Sequence, residues 1–279
     1  MICLKGGDLY RDVIDVYCRK YSQTDADGTT STMLGGLFVL RSHGRLVETE
    51  IRRIRSEYNE YRPLRWSSVD ETNYLFYRAL VYLFLTDPFV RFRVIRVSRR
   101  NMPIPPYRSK GGLCERFRRK MYYYLIDDLV LNRANPPVRL VLDPEYTSCL
   151  RKRKGLLSYL LNALQDSRNE QIQAVEPLHS DASNFAQLCG LLLGMVGYAI
   201  NRRWSNSHKD SLLQDAEGTA HQSFRQSSRV GESKIGIYHF FLKKLWNFEC
   251  GSGRVHLDLT VPTECVQTGY MDSYHPAPV

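Results

Sequence analysis

The sequence predicts an α/β protein whose mixed sheet carries helices on both faces, with a helical extension after it. Two observations predict it. Short runs rich in β-branched and aromatic residues alternate with longer runs whose apolar residues recur every three or four positions. Segments interleaved in this way form one layered core, and 279 residues are enough to bury it.

Val13 to Cys18 and Met33 to Leu40 read as neighbouring strands, joined by a polar loop that turns at Asp27-Gly28. Leu46, Ile51, Ile54 and Tyr58 recur at helical spacing, so Arg45 to Tyr61 reads as a helix with a charged outer face. Ser68 is placed to cap a second helix through Leu85, which Asp87-Pro88 stops. From Phe89 to Val97, Val90, Phe92 and Val94 alternate with Arg91 and Arg93, giving a strand with one wet face or at an edge. "NMPIPPYRSKGG" is a loop, since its prolines exclude regular structure. Leu113 to Leu131 follows as a helix, and the rings of Tyr122, Tyr123 and Tyr124 in it are candidates to stack on bases. Val138 to Leu142 is a buried strand ending at Asp143, Leu150 to Gln165 a helix, and Ile172 to Val175 a short strand. Asn184 to Arg203 is an almost wholly apolar helix. Its centre, Phe185 to Ile200, is too short for a bilayer and contains Gln187 and three glycines, so it reads as a buried helix. Trp204 to Ser233 turns to Ser, Gln, His and Asp and reads as a mobile loop, and "IYHFFLKKLWNF" as an apolar tail helix. The expected division is a domain over 1–203, a flexible polar loop or linker over 204–234, and an extension over 235–279 packing on the core or on a partner.

Composition excludes several classes. At 43% hydrophobic and 24% charged, the chain is globular rather than disordered. The start, Met1-Ile2-Cys3-Leu4-Lys5 followed by Gly6-Gly7-Asp8, does not read as a signal peptide. Seven cysteines lie singly with no Cys-x-x-Cys, and seven histidines form no ligand pair, which argues against zinc and disulfides and for a reducing cytoplasm. No phosphate-cradling Gly-rich loop appears. His179, Ser180 and Asp181 lack a nucleophile elbow, so no small-molecule substrate is evident.

The charge is more informative. Arg91, Arg93, Arg96, Arg99, Arg100, Arg108, Lys110, Arg116, Arg118, Arg119 and Lys120 face the single acid Glu115, an excess as large as the whole chain's +10. Arg151, Lys152, Arg153 and Lys154 open a helix, where cations oppose the positive end of the helix dipole, so folding does not explain them. Phosphate binding would, with a solvated face as the alternative.

Several segments together resemble one family, the RNase H-like proteins catalogued as domain of unknown function 3800. "VYCRKYSQTDADGTTSTMLGGLFV", "PLRWSSVDETNYLFYRAL", "LVLDPEYTS" and "AQLCGLLLGMVGYA" follow its motifs in order, over about residues 13 to 203. The resemblance implies an RNase H-like mixed sheet and a carboxylate site for two Mg²⁺ ions. The departures fall on that site. Arg19 and Lys20 stand where the family has Asp-Glu, Pro63 where it has Glu, with Arg65 for Lys, and Gly190 where it has the helix Asp; Asp143 alone is retained.

The expectation is therefore a catalytically inactive RNase H-like protein, with no metal or other cofactor, that binds nucleic acid through Arg19, Lys20, Arg65 and the basic segments. Two alternatives stay open. One is a protein-protein scaffold subunit, for which the resemblance suggests a bacterial antiviral defence complex. The other is an active Mg²⁺-dependent nuclease with relocated ligands drawn from Asp15, Glu60, Asp70, Glu71 and Asp181.

Overall fold

Three antiparallel strands begin the fold. The computed structural model describes residues 12–24, 30–98, 112–131, 135–142, 150–166, 168, 170–177, 183–201, 206–228, 234–242 and 259–260. In it β1 (Ile14–Thr24) pairs with β2 (Thr30–Leu40), and β2 with β3 (Val90–Ser98), both antiparallel. Beyond β1 lie β4 (Val138–Leu142) and β5 (Ile172–Pro177), each parallel to its neighbour. Beyond β3 lie β6 (Ile235–Leu242), parallel, and the two-residue β7 (Leu259–Thr260), antiparallel. The sheet order is β5-β4-β1-β2-β3-β6-β7.

Helices cover both faces, as expected. On one face lie α1 (Arg41–Glu57), α2 (Tyr74–Thr86), α5 (Asn184–Asn201) and α6 (Ser207–Ala220). On the other lie α3 (Gly112–Leu131) and α4 (Leu150–Ala163). The alternation of β1 and β2 feeds two separate cores. Met33, Leu37 and Val39 pack toward α5, whereas Val16, Cys18, Leu34 and Phe38 pack toward α3 and α4. α5 is long and apolar enough to cross a membrane by length and composition. Here it is the central core helix, with Leu188, Leu191, Leu192 and Val196 buried against the sheet and its helical neighbours. Each such side chain contributes about 1.5–3 kcal/mol.

Five expectations change. Ser68 ends a 3₁₀ turn (Trp66–Ser68) instead of capping α2, which begins at Tyr74 after a second 3₁₀ turn (Glu71–Asn73). β1 runs on to Thr24, pairing in register to Thr30, so Tyr21 to Thr24 are strand rather than loop. The turn at Asp27-Gly28 lies outside the described residues. α1 starts at Arg41 and stops at Glu57, because Asn59 takes a left-handed backbone (φ 49°). That turn lets Asn59 N–H and Glu60 N–H close on the carbonyls of Ser56 and Arg55.

Within the expected 204–234 loop there is a capped helix, α6. Asn206 accepts from Lys209 N at its start, His221 ends it in a left-handed backbone, and Leu212, Leu213 and Ala216 are buried. Three apolar residues at helical spacing sufficed once α2 offered a surface, although the surrounding composition is polar. The expected tail helix is overturned over 235–242, which form β6. Ile235, Ile237 and His239 are buried at a period of two, and β-branched and aromatic residues suit a strand beside β3. Residues 101–111, expected as a loop, and residues 243–258 lie outside the described residues.

Candidate nucleic-acid interface

Asp15, Tyr17, Arg19 and Tyr21 occupy the positions of β1 that face α5, because they pair with Val39, Leu37, Gly35 and Met33. Arg19 lies against Gly190 of α5: its Nε is 3.7 Å from the point a β-carbon at 190 would occupy. The glycine leaves the room that the guanidinium uses. One turn earlier, the Gln187 Oε1 accepts from Leu64 N at 2.8 Å and from Arg55 Nη2 at 2.9 Å. One turn later, Gly194 meets Trp66, whose Cβ is 2.5 Å from the position of a β-carbon at 194. Three stretches far apart in sequence thus meet on one helix: the β1 position Arg19, "PLRW" and the apolar helix itself.

Lys20 is separated from Arg19. It pairs with Leu34, which packs toward α3 and α4, so the two neighbouring cations belong to opposite faces of the sheet. The expectation that Arg19 and Lys20 share one phosphate-binding site is corrected by the pleat.

The acids near this site are committed elsewhere. Asp15, with its side chain 7% exposed, is held by two guanidinium groups. Arg139 donates Nε to Oδ1 at 2.8 Å and Nη2 to Oδ2 at 2.7 Å, and Arg41 donates Nη2 to Oδ1 at 3.0 Å. Arg139 also reaches Glu176 at 2.9 Å. The Asp15 hydrogen bond holds the Arg139 guanidinium above its ordinary range. Burial pushes the Tyr17 hydroxyl up to about 12, with the Asp15 charge adding to it. Glu60 is clasped by Arg62, whose hydrogen bonds keep its carboxyl below the usual range. Asp70 caps a short 3₁₀ turn through Thr72 N at 2.9 Å and Thr72 Oγ1 at 2.7 Å, and that side-chain bond lowers it too. Glu71 is exposed. Asp143, His179, Ser180 and Asp181 lie outside the described residues. Among the described residues no three His, Cys, Asp or Glu gather as a metal site. A hard divalent ion needs several carboxylate or carbonyl oxygens, and an arginine, a glycine, an exposed proline and a doubly paired aspartate do not fit one.

The basic footprint divides between the faces rather than forming one surface. Arg65 is exposed beside Trp66, on the α5 side. Arg93 is spent inside the opposite face: its Nη1 donates to the Leu125 carbonyl at 3.0 Å, and its guanidinium lies 5.7 Å from the Phe38 ring and 5.4 Å from that of Tyr238. Arg96 bonds His239 Nδ1 at 3.3 Å. Arg119 packs at the contact of α3 with α4, its Nη2 2.8 Å from the β-carbon position of Gly155. Arg118 and Lys120 are half-buried, Arg153 likewise, and Arg91, Arg151, Lys152 and Lys154 are exposed. Arg99, Arg100, Arg108 and Lys110 lie outside the described residues, as does the side chain of Arg116. Tyr122 is buried, and Tyr123 and Tyr124 pack edge to face with ring centres 5.2 Å apart, so this trio builds core rather than a stacking surface.

The structure adds a segment that periodicity hid. Residues 58–65 follow α1 without regular structure and lie beside the Arg19 site through Leu64. Reading Arg45 to Tyr61 as one helix concealed it; the Asn59 turn and Pro63 are the signals that mark it.

No protein-family model matches the chain, and no curated protein matches it. Among solved structures, the chain is similar to one from the PCNA:RNase HII complex of Archaeoglobus fulgidus, with 11% identity, a TM-score of 0.38, and coverage of 78% of this chain and 95% of that one.

Proposed function

We propose that this chain is an RNase H-like protein of the type catalogued as domain of unknown function 3800, and that it binds nucleic acid by charge at a degenerate site without hydrolysing it. The observation that carries the reading is Arg19 seated on Gly190. Two positions where the resemblance implies metal-binding acids are neighbours in space, which supports the matched motifs, and they hold a cation and a glycine. Asp15, the nearest alternative acid on the same strand face, is neutralised by Arg41 and Arg139. A guanidinium in that notch offers charge-assisted hydrogen bonds to a phosphate where the family's metal ions would have met it. Arg65 continues the surface. The exposed cations at the start of α4 belong to the other face and would engage a strand that passes around the sheet edge.

The test is a binding titration with labelled DNA and RNA in EDTA. Binding should persist without divalent ions and weaken with salt by about 0.7–0.9 log units per log unit for each phosphate neutralised. Arg19→Glu should cut affinity about tenfold or more. Cleavage with Mg²⁺ or Mn²⁺ that Asp143→Ala abolishes would overturn the reading in favour of a nuclease.

A second reading, docking of a protein partner, is favoured by one observation. Leu75 and Tyr82, seven residues apart on the outer side of α2, are 58% and 61% exposed. Co-purification of a stoichiometric protein complex free of nucleic acid would establish it.

A further inference from the structure

Arg55 is a buried arginine with four acceptors, and three of them concern one short loop. The residue is 7% exposed, and burial lowers the guanidinium's affinity for its proton. Nη1 donates to the carbonyls of Glu60 at 3.2 Å and Arg62 at 2.9 Å. Nη2 donates to Gln187 Oε1, the same atom that accepts Leu64 N, and Nε donates to Asn184 Oδ1 at 3.0 Å. The loop is fixed at both ends as well. The Asn59 turn sets its departure from α1, and Arg65 N donates to the Tyr77 hydroxyl at 3.4 Å. Leu64 and Trp66 anchor it in the core.

Burying a charge is costly unless hydrogen bonds compensate it; here four acceptors do, and two of them are carbonyls of this loop, so the compensation fixes its backbone. What the held loop presents is specific. Tyr61 is 66% exposed, Tyr58 is 38% exposed, and the Arg62 side chain is 68% exposed, steadied by Glu60. Arg65 is exposed at the far end. A hydrogen-bonded backbone thus carries exposed tyrosines and the guanidinium groups of Arg62 and Arg65 on one short segment, and it stands on Gln187, one turn of α5 from the Gly190 seat of Arg19.

We infer that residues 58–65 form a preorganised platform for single-stranded nucleic acid, on which Tyr61 stacks an unpaired base while Arg62 and Arg65 hold the flanking phosphates. This rests on the reading of Arg19 as a phosphate contact and adds the class of ligand to it. An unpaired strand is favoured because only it offers a free base face to a ring; in a duplex those faces are stacked on their neighbours. A protein partner would also accept tyrosine and arginine, but a net charge of +10 and the adjoining Arg19 favour a polyanion.

The experiment measures binding of a labelled thymidine homopolymer, a uridine homopolymer and a fully paired DNA duplex to the whole chain and to three variants. Single strands should bind more tightly than the duplex. Tyr61→Ala should weaken single-strand binding roughly five- to hundredfold with little change for the duplex, Tyr61→Phe should restore it, and Arg19→Glu should weaken all three. Binding lost in Arg19→Glu but unchanged in Tyr61→Ala, or a duplex bound as tightly as the single strands, overturns the platform and leaves the phosphate site standing. Binding of no probe by the unaltered chain overturns both, and a protein ligand whose capture needs Tyr61 while nucleic acid binding does not would reassign the loop.

Discussion

On the two sides of the sheet one contact of a helix with its neighbour is closed differently, and glycine shows how. On the α5 face, Gly194 stands where a β-carbon would come 2.5 Å from the Cβ of Trp66, an atom fixed to its backbone. On the other face, Gly155 of α4 would meet Arg119 at 2.8 Å, but through Nη2, the far end of a flexible side chain. The first contact is closed by the root of an aromatic core side chain, the second by the far end of a long flexible one. The lesson concerns where this protein tolerates change. The Gly194 contact belongs to a fitted assembly of β1, the 58–66 segment and α5, whereas the Gly155 contact of α4 with α3 is closed by a long basic side chain; where α3 meets β2 the fit is again tight, with a β-carbon at Gly36 2.9 Å from Leu125.

Breaking that contrast starts with Gly194→Ala. The methyl forces α5 or the Trp66 segment to move, and the gain in helix propensity of about 1 kcal/mol does not offset the overlap. We expect a net loss of about 2–3 kcal/mol in chemical denaturation. An unchanged midpoint would show that this contact has slack as well.

A smaller effect comes from Lys234, also on the α5 face. Its ammonium donates to the carbonyls of Asp87 and Val90 and lies 4.4 Å from the centre of the Phe84 ring. Burial nevertheless pushes its pKa down to about 8 from an ordinary 10.5. The unfolded chain therefore holds a proton that the folded one has lost between those values, so this group makes stability rise with pH from about 8 toward 10, by on the order of 2 kcal/mol. Above about 10 the trend reverses, since the tyrosine hydroxyls raised by burial, Tyr17 among them, hold their protons longer when folded. Denaturation midpoints across pH 8–10 in the unaltered chain and in Lys234→Met should diverge in slope; parallel slopes would exclude Lys234 as the source.

The smallest expected effect is on the other face. Gly155→Ala should be neutral or stabilising by about 0.5 kcal/mol, because Arg119 can shift while the helix gains propensity. A large destabilisation there would mean that Arg119 is fixed, and the distinction between the two contacts would fail.

Most elements are legible in the sequence because period and punctuation are local properties. β1 to β5 and α1 to α5 follow from them, with ends shifted where a turn such as that at Asn59 depended on its own backbone. Two elements were misjudged for the same physical reason. α6 is polar except for the residues that α2 covers, and β6 is apolar throughout, so neither shows its period until a neighbour defines an inside. The candidate site was legible as a list of exchanged residues: Arg19, Pro63, Arg65 and Gly190. That Arg19 lies against Gly190, and that Asp15 is held by Arg41 and Arg139, was not legible, since these contacts join separate elements of the fold, two of them more than a hundred residues apart.

The sequence by itself determined the α/β character, the excess of positive charge, and the alternation that puts Asp15 and Arg19 on one side of β1 and Lys20 on the other. Only the tertiary structure decided what each arginine meets. Arg93 fills a gap between rings, Arg55 holds a loop from beneath, and Arg139 neutralises an aspartate, while Arg19 occupies a notch that a glycine leaves. All carry the same charge in the sequence. What each does depends on the acceptors and rings brought within a few ångströms of it, and chain folding alone sets those distances.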